Sequence, residues 1–312
     1  MKLKIGLIFT VLIACSGVLT ATSFDYKLTP KLIAENTYVF VGKSEDFSFK
    51  NGGNIVNTGF IVTSDGVIVI DTGPSLRYGQ QMRAAIATVT NKTINRVYIT
   101  HHHPDHFLGN LAFKDVPVYA LEETIQNINN EGAGFADNLY LMVGDWMRGT
   151  DVLAPNKKTK ASKVSIGGHQ LELLALSGHT SGDMALFDHS TGVLFSGDLI
   201  FHKRTLTTPH AKINQWLKAL NASLDRLSLN VLVPGHGPVT SDKAPITDMV
   251  DYLTWLDATF TKAARDGFTM TDAMGIKLPS RFQSNALLKS EFSRSVTHLF
   301  SNYENKVFER VN

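Results

Sequence analysis

The sequence predicts an α/β chain in which two mixed β-sheets are covered on their outer faces by helices. Three observations lead there. Apolar runs of strand length recur at 37–41, 55–62, 67–70, 97–99, 116–120, 171–176, 193–195 and 231–233, most of them bounded by Gly, Pro, Asn or Asp. Segments with apolar residues at helical spacing are interleaved with them at 76–89 and 212–227. Three of the runs lead directly to Gly178-His179, Gly197-Asp198 and Gly235-His236, where glycine lets the backbone turn sharply at a strand's C-terminal end. Sheets layered against each other, with helices outside, satisfy this order.

The chain opens with Met1-Lys2-Leu3-Lys4 and an apolar stretch over 5–19, the charged-then-apolar profile of an export signal. That stretch is too short for a comfortable membrane span. Ala21-Thr22-Ser23 offers small residues at a cleavage spacing, which sets a mature start near Phe24. Leu12-Ile13-Ala14-Cys15 also resembles a bacterial lipobox, and Cys15 is the only cysteine. Processing there would leave a lipid-anchored protein, the one route by which this chain would meet a membrane. Secretion in soluble form, to a bacterial periplasm, is the expectation. Without residues 1–23 the chain keeps 28 basic residues (30 less Lys2 and Lys4) against 28 acidic ones, a balance that gives no support for a nucleic-acid partner. No cysteine remains for a disulfide, so stability rests on an apolar core, for which 43% hydrophobic residues is ordinary. The expected organisation is a signal over 1–23, a main domain over 24–240 and a helical extension over 241–312.

From 26 to 71 the pattern is β, with Thr37-Tyr38-Val39-Phe40-Val41 as its clearest strand. The connection over 42–54 is long for a hairpin and carries Phe47 and Phe49 among Ser, Lys, Asn and Gly. It reads either as a mobile flap or as a turn whose aromatics cap the core. Met82, Ile86 and Val89 share one face of an amphipathic helix over 76–89. A short strand over 116–120 and a helix over 122–128 follow. Residues 129–163 read as an irregular insertion rich in Gly and Asn, with 139–147 packing as a helix and Lys157-Lys158-Thr159-Lys160 as a solvated turn. Past Pro238, Met249, Leu253, Leu256 and Phe260 recur at helical spacing, as do Leu288, Phe292, Val296 and Phe300.

The chain is organised around Thr100-His101-His102-His103-Pro104-Asp105-His106, the tail of the run Val97-Tyr98-Ile99. An extended segment turns alternate side chains to one side, so His101 and His103 face one point while His102 faces away. Pro104 ends the strand, and a short helix over 106–113 lets Asp105 and His106 aim at a second point. A histidine run alone is more often a polar loop than a ligand set. The further donors His179, Asp198 and His236, each just past a strand, tip the balance to a metal site. Imidazole and carboxylate suit zinc first, and iron or manganese as well. Pairs of such ions ~3.5–4 Å apart form hydrolytic centres.

His101-x-His103-x-Asp105-His106, then His179, Asp198 and His236, with Asp71 upstream in Val69-Ile70-Asp71-Thr72-Gly73, resembles the metallo-β-lactamase superfamily of dinuclear metallohydrolases over roughly 36–240. The resemblance implies the αββα sandwich and two divalent ions. It assigns His101, His103 and His179 to the first ion, Asp105, His106 and His236 to the second, and Asp198 to both. Asp71 is expected to orient a ligand through hydrogen bonds rather than to bind metal. Thr100, Thr180 and Asp183 are supporting candidates by position alone. His102 is expected to point into the fold, and His169, His189, His202, His210 and His298 to be surface or supporting groups.

Two cations sharing a solvent oxygen lower the water pKa from 15.7 towards ~7, so hydroxide is available without a protein nucleophile. By the family's pattern Asp105 also orients that hydroxide, which makes it the catalytic candidate. The best-known secreted β-lactamases of this family carry cysteine at the Asp198 position and a lysine where Phe201 stands, a departure that argues against efficient β-lactam hydrolysis and leaves Lys203 and Arg204 as substitute anion binders. A bridging aspartate is the arrangement of the glyoxalase II, lactonase and thioesterase branches. Export disfavours glyoxalase II, whose substrate is cytosolic, and Leu108 replaces the first glycine of that branch's Gly-Gly. The signal, Asn51-Gly52-Gly53-Asn54 and Thr207-Thr208-Pro209-His210 are similar to exported quinoprotein relay system zinc metallohydrolases, encoded beside periplasmic PQQ-dependent dehydrogenases. The expected activity is hydrolysis of a small ester, thioester, lactone or amide. The alternatives are a β-lactamase, a phosphodiesterase or sulfatase on the same ions, and a non-catalytic metal-binding component of a redox relay.

Overall fold

The computed structural model describes residues 24–308. The export signal and the Cys15 lipobox lie outside the described residues. Among the described residues no helix is long and apolar enough to cross a membrane.

Among the described residues, twelve strands form two sheets. The first holds β1 (Lys31–Ala34), β2 (Thr37–Phe40), β3 (Thr58–Thr63), β4 (Gly66–Ile70), β5 (Ile94–Tyr98), β6 (Val118–Ala120) and β7 (Lys157–Lys158), side by side in chain order. Its first four strands are antiparallel and β4 to β7 are parallel. The second holds β8 (Ser162–Ile166), β9 (His169–Leu176), β10 (Asp183–Asp188), β11 (Val193–Phe195) and β12 (Val231–Val233), in the order β12-β11-β10-β9-β8 with only β11 and β12 parallel. Both sheets are mixed, as expected.

Strand periodicity makes the layers. On β4, Ile68 and Ile70 face a cluster shared with Leu171, Leu173, Met184, Leu186 and Phe195 of the other sheet. Val67 and Val69 face the opposite way, onto α1 (Leu76–Ala87) through Tyr78, Met82 and Ile86, and onto α3 (Glu122–Val143) through Ile128 and Leu139. On β10, Met184 and Leu186 point between the sheets, whereas Ala185 and Phe187 meet Trp216 of α4 (Ile213–Lys218) and the helices beyond residue 240. Helix, sheet, sheet, helix is therefore the layer order.

Three expectations need correction, and for the 42–54 connection the packing favours one of the two readings. The helix expected to stop at 128 runs on to Val143, because Asn129, Asn130, Gly132 and Gly134 are overruled by a tertiary face. Gly132 packs so closely that a Cβ would lie 3.1 Å from Val152. Lys157 and Lys158 form an edge strand paired to Tyr119 and Ala120 rather than a turn, with both side chains in solvent, as suits an edge. The short helix of the motif, α2, begins at Pro104 and spans Pro104–Phe107 before tightening to 3₁₀ over Leu108–Phe113; proline is pre-set for the first turn of a helix. The 42–54 connection is tied down: Asn51 accepts from Ser48 and Gly53 backbone N–H groups and donates to Glu45, while Trp146 donates to the Phe49 carbonyl. Phe47 packs on the core and Phe49 stays exposed.

The stripes beyond residue 240 form α5 (Ala244–Arg265) and α7 (Leu288–Phe308), joined by α6 (Met270–Met274). Leu253, Leu256, Phe260, Phe292, Val296 and Phe300 share one buried cluster with Leu220, Leu232 and Phe187. These helices thus form the outer cover of the second sheet.

Candidate metal centre

The donors collect where strand ends from both sheets meet. Asp71 N–H donates to the Tyr98 carbonyl, which carries the β4–β5 pairing one step past the strands and sets Asp71 beside Thr100. Thr100 returns two bonds, N–H and Oγ1 to the two Asp71 oxygens, each 2.8 Å. Met184 N–H donates to the Thr100 carbonyl at 2.8 Å, which locks the second sheet to the same point. From there the backbone stays extended through His103 and turns into α2, so that Asp105 and His106 lie beside His101.

Six of the seven expected ligands fall with Asp198 into two adjoining groups: His101, His103, His179 and Asp198, and Asp105, His106 and His236. His103 Nδ1 lies 3.1 Å from His101 Nε2 and 2.8 Å from His179 Nε2. Asp198 spans the groups, with Oδ2 3.3 Å from both His179 Nε2 and His236 Nε2, and Oδ1 3.1 Å from His106 Nε2. Asp105 Oδ2 is 3.3 Å from His236 Nε2. All seven are buried.

These residues fit a pair of divalent ions. Tetrahedral ligands about 2.0–2.1 Å from zinc stand roughly 3.3 Å from one another, the spacing seen here. One imidazole N–H cannot serve two neighbours, so the three nitrogens around His103 Nδ1 have no mutual hydrogen-bonding solution. Asp105 Oδ2, His106 Nε2 and Asp198 Oδ1 are buried without hydrogen-bond partners, an arrangement that a cation resolves. Burial holds His101 and His103 well below the ordinary imidazole range, reinforced by neighbouring histidines, so both are neutral and able to ligate. Burial opposes charge on His106 as well, but Asp198, Asp71 and Asp105 outweigh it and raise that imidazole. For Asp198, burial is outweighed by His236 and His106, and the carboxyl is held well below its usual range.

The far side of most ligands is tied. Asp71 Oδ2 accepts from His106 Nδ1 at 2.7 Å, His101 Nδ1 meets Thr100 Oγ1 at 3.1 Å, and His236 Nδ1 donates to the Ile55 carbonyl at 2.8 Å. Asp71 therefore holds the His106 ring from behind and is not among the grouped donors. Thr180 and Asp183 close the turn that aims His179: the Asp183 carboxylate accepts from Thr180 N–H and Oγ1. Burial pushes the Asp183 carboxyl up to about 6. Two glycines are required by packing. A Cβ on Gly235 would stand 2.0 Å from Asp198 Oδ1, and one on Gly109 2.0 Å from the Thr72 carbonyl. Leu108, where the resemblance expects glycine, is simply buried.

His102 is buried, as expected, and burial drives its pKa down to about 3 with His210 adding to the effect. His169 is buried against Asp188, His189 meets Glu172 from an exposed position, and His202 holds the Pro238 carbonyl. His210 belongs to the site: its Nδ1 is 2.8 Å from His103 Nε2. In the sequence it has no partner in the ligand pattern, because the ligand it meets in the fold, His103, lies 107 residues away in the chain. A cavity of about 510 Å³ opens over the donors, walled by Phe47, Ile55, Phe135 and Met142 on its apolar side and by Arg204, Arg294, Asp46 and His298 on its polar side, where Arg294 pairs with Asp46 at 3.2 Å. Arg204 does reach this wall, but its guanidinium is buried and paired to Glu291 at 3.3 Å, whereas Lys203 is not part of the wall.

The family profile described as the metallo-beta-lactamase superfamily matches residues 51–236. Beta-lactamase-like protein 2 homolog of Caenorhabditis elegans is 27% identical over 196 residues, which cover 59% of this chain and 56% of that protein. Acyl-coenzyme A thioesterase MBLAC2 of Bos taurus is 26% identical over 219 residues, 60% of this chain and 75% of that one. The chain thus spans about half the length of the first relative and three quarters of the second. Among solved structures, the sec-alkyl sulfatase PisA1 superposes with a TM-score of 0.68 at 17% identity, over 90% of this chain and 51% of its own. The uncovered tenth is smaller than the segment 241–312, so that shared fold takes in part of the C-terminal helices. A profile match that covers more than half of the chain and reaches from before His101 to His236 settles the family: this protein belongs to the metallo-beta-lactamase superfamily.

Proposed function

We propose that the protein is an exported hydrolase that uses two zinc ions to cleave a small ester, thioester, lactone or amide. The observation that carries this reading is the convergence of seven buried donors, four of which (His103, Asp105, Asp198 and His236) line one cavity. When bound, the ions supply Lewis acidity and a water activated at neutral pH. His101, His103 and His179 would hold one, Asp105, His106 and His236 the other, and Asp198 would serve both. Asp105, besides holding an ion, lines the cavity and is therefore the group in place to orient the attacking water. The apolar wall of Phe47, Ile55, Phe135 and Met142 excludes water and buries a hydrocarbon part of the substrate. Arg204, Arg294 and His298 lie on the side where negative charge would be received. Export rests on the profile of residues 1–23, and residues 241–312 are taken as an extension that completes the cavity wall.

The test is metal analysis of the purified protein followed by a panel of p-nitrophenyl esters, acyl thioesters and lactones, with His103→Ala as control. Stoichiometric metal and turnover lost in the control support the proposal; failure on every carbonyl substrate overturns it. A second reading, cleavage of an alkyl sulfate, is favoured by the sulfatase superposition across the C-terminal helices. Dodecyl sulfate hydrolysis in the absence of esterase activity selects that reading.

A further inference from the structure

Behind His103, on the side away from the other donors, stands a second imidazole, that of His210. His103 presents Nδ1 to His101 and His179, so a neutral His103 that ligates there carries its proton on Nε2. That proton needs an acceptor, and His210 Nδ1 stands 2.8 Å away. With Nδ1 accepting, His210 carries its own proton on Nε2, which faces Glu131 Oε2 at 3.4 Å. Donor and acceptor roles then alternate without conflict from the centre out to a carboxylate on α3. Histidine ligands are commonly fixed in this way by a carboxylate or carbonyl, and here one more imidazole is interposed.

The source of this support differs from that of the other ligands. Thr100, Asp71 and the Ile55 carbonyl, which tie His101, His106 and His236, belong to or adjoin the first sheet and its connections. His210 sits on the segment between residues 205 and 212, which is hung on the C-terminal helix. Thr208 Oγ1 bonds Ser295 Oγ at 2.8 Å with both residues fully buried, and Arg204 pairs with Glu291 of the same helix. Lys212 N–H donates to the Gly178 carbonyl, beside His179.

We infer that α7, acting through Ser295, Thr208 and the His210–Glu131 pair, is a working part of the first metal site, and that His210 is a positioning residue which fixes the tautomer and ring angle of His103. The inference goes beyond the superfamily match, which ends at residue 236, and rests on the reading of the donors as a metal centre.

The test uses Co²⁺ as probe on the purified mature protein, read by chelator competition and the visible d–d spectrum, with circular dichroism to report folding. His210→Ala is expected to weaken one of two bound ions by roughly 10–100-fold and to leave the other unchanged. His210→Asn, whose carbonyl oxygen replaces the accepting Nδ1, restores most of that loss, and Ser295→Ala shifts the same ion in the same direction. Wild-type affinity for both ions in His210→Ala overturns the inference, as does equal weakening of both ions without rescue by Asn. Wild-type protein that holds no stoichiometric Co²⁺ overturns the metal-centre reading and this inference with it.

Discussion

Asp71 Oδ2 lies 2.7 Å from His106 Nδ1, at the end of β4 and in a backbone conformation of φ +57° that few non-glycine residues adopt. The same carboxylate accepts two bonds from Thr100. One buried group thus aims a ligand of the second site and stitches the strand that delivers the histidine motif. Aspartate and asparagine tolerate this backbone better than most side chains, so Asn replaces Asp71 without a shape change. Asp71→Asn is expected to lower affinity for one ion by roughly 10–100-fold and to leave the other bound. Metal analysis after dialysis against a graded chelator series gives the answer.

Gly235 is bound to the shared ligand by contact rather than by chemistry. A methyl group at that position would collide with Asp198 Oδ1 and, at 2.8 Å, with the Gly197 backbone. Gly235→Ala should therefore weaken both ions together, in contrast to Asp71→Asn, and should cost about 1–3 kcal/mol of stability. Retention of both ions at wild-type affinity would contradict the bridging position of Asp198.

The Arg204–Glu291 pair is almost wholly buried, at 2% and 0% side-chain exposure. Removing Arg204 leaves the buried Glu291 carboxylate with Arg294 alone, 3.0 Å away, so Arg204→Met is expected to cost about 1.5–3 kcal/mol, the worth of a charged hydrogen bond. Burial raises the Glu291 carboxyl despite the pull of Arg204 and Arg294. A raised folded-state pKa contributes stability that is complete below the unfolded value and is lost as pH rises through the folded one. Glu291→Gln should accordingly cost less than Arg204→Met, and wild type should lose ground to it as pH climbs past the ordinary glutamate range of about 4.3. Urea unfolding of the three proteins at several pH values tests both orderings.

Divalent metal should act as a folding ligand, because seven buried donors, four of them with an unpartnered polar atom, are assembled only in the native state. At free Zn²⁺ about 100 times Kd, each ion adds about 2.7 kcal/mol. The thermal midpoint should rise by several degrees on adding Zn²⁺ and fall back with excess chelator. A midpoint that ignores both additions would deny the native state any preference for metal.

The sequence by itself determined the candidate ligands and the layers. His101 and His103 share a face because an extended backbone alternates, and His179, Asp198 and His236 stand beside glycines that mark strand ends, so local rules of a few residues' range suffice. The faces of β4 and β10 are legible for the same reason. The full length of α3 was not, since Gly132 and Gly134 weaken a helix locally and only packing against Val152 and the first sheet sustains it. Nor were His210 behind His103 or Glu291 beside Arg204, pairs separated by 107 and 87 residues. Such contacts have no periodic signature; they exist because the C-terminal helices close over the second sheet, and only the folded chain decides which distant side chains that closure brings into reach.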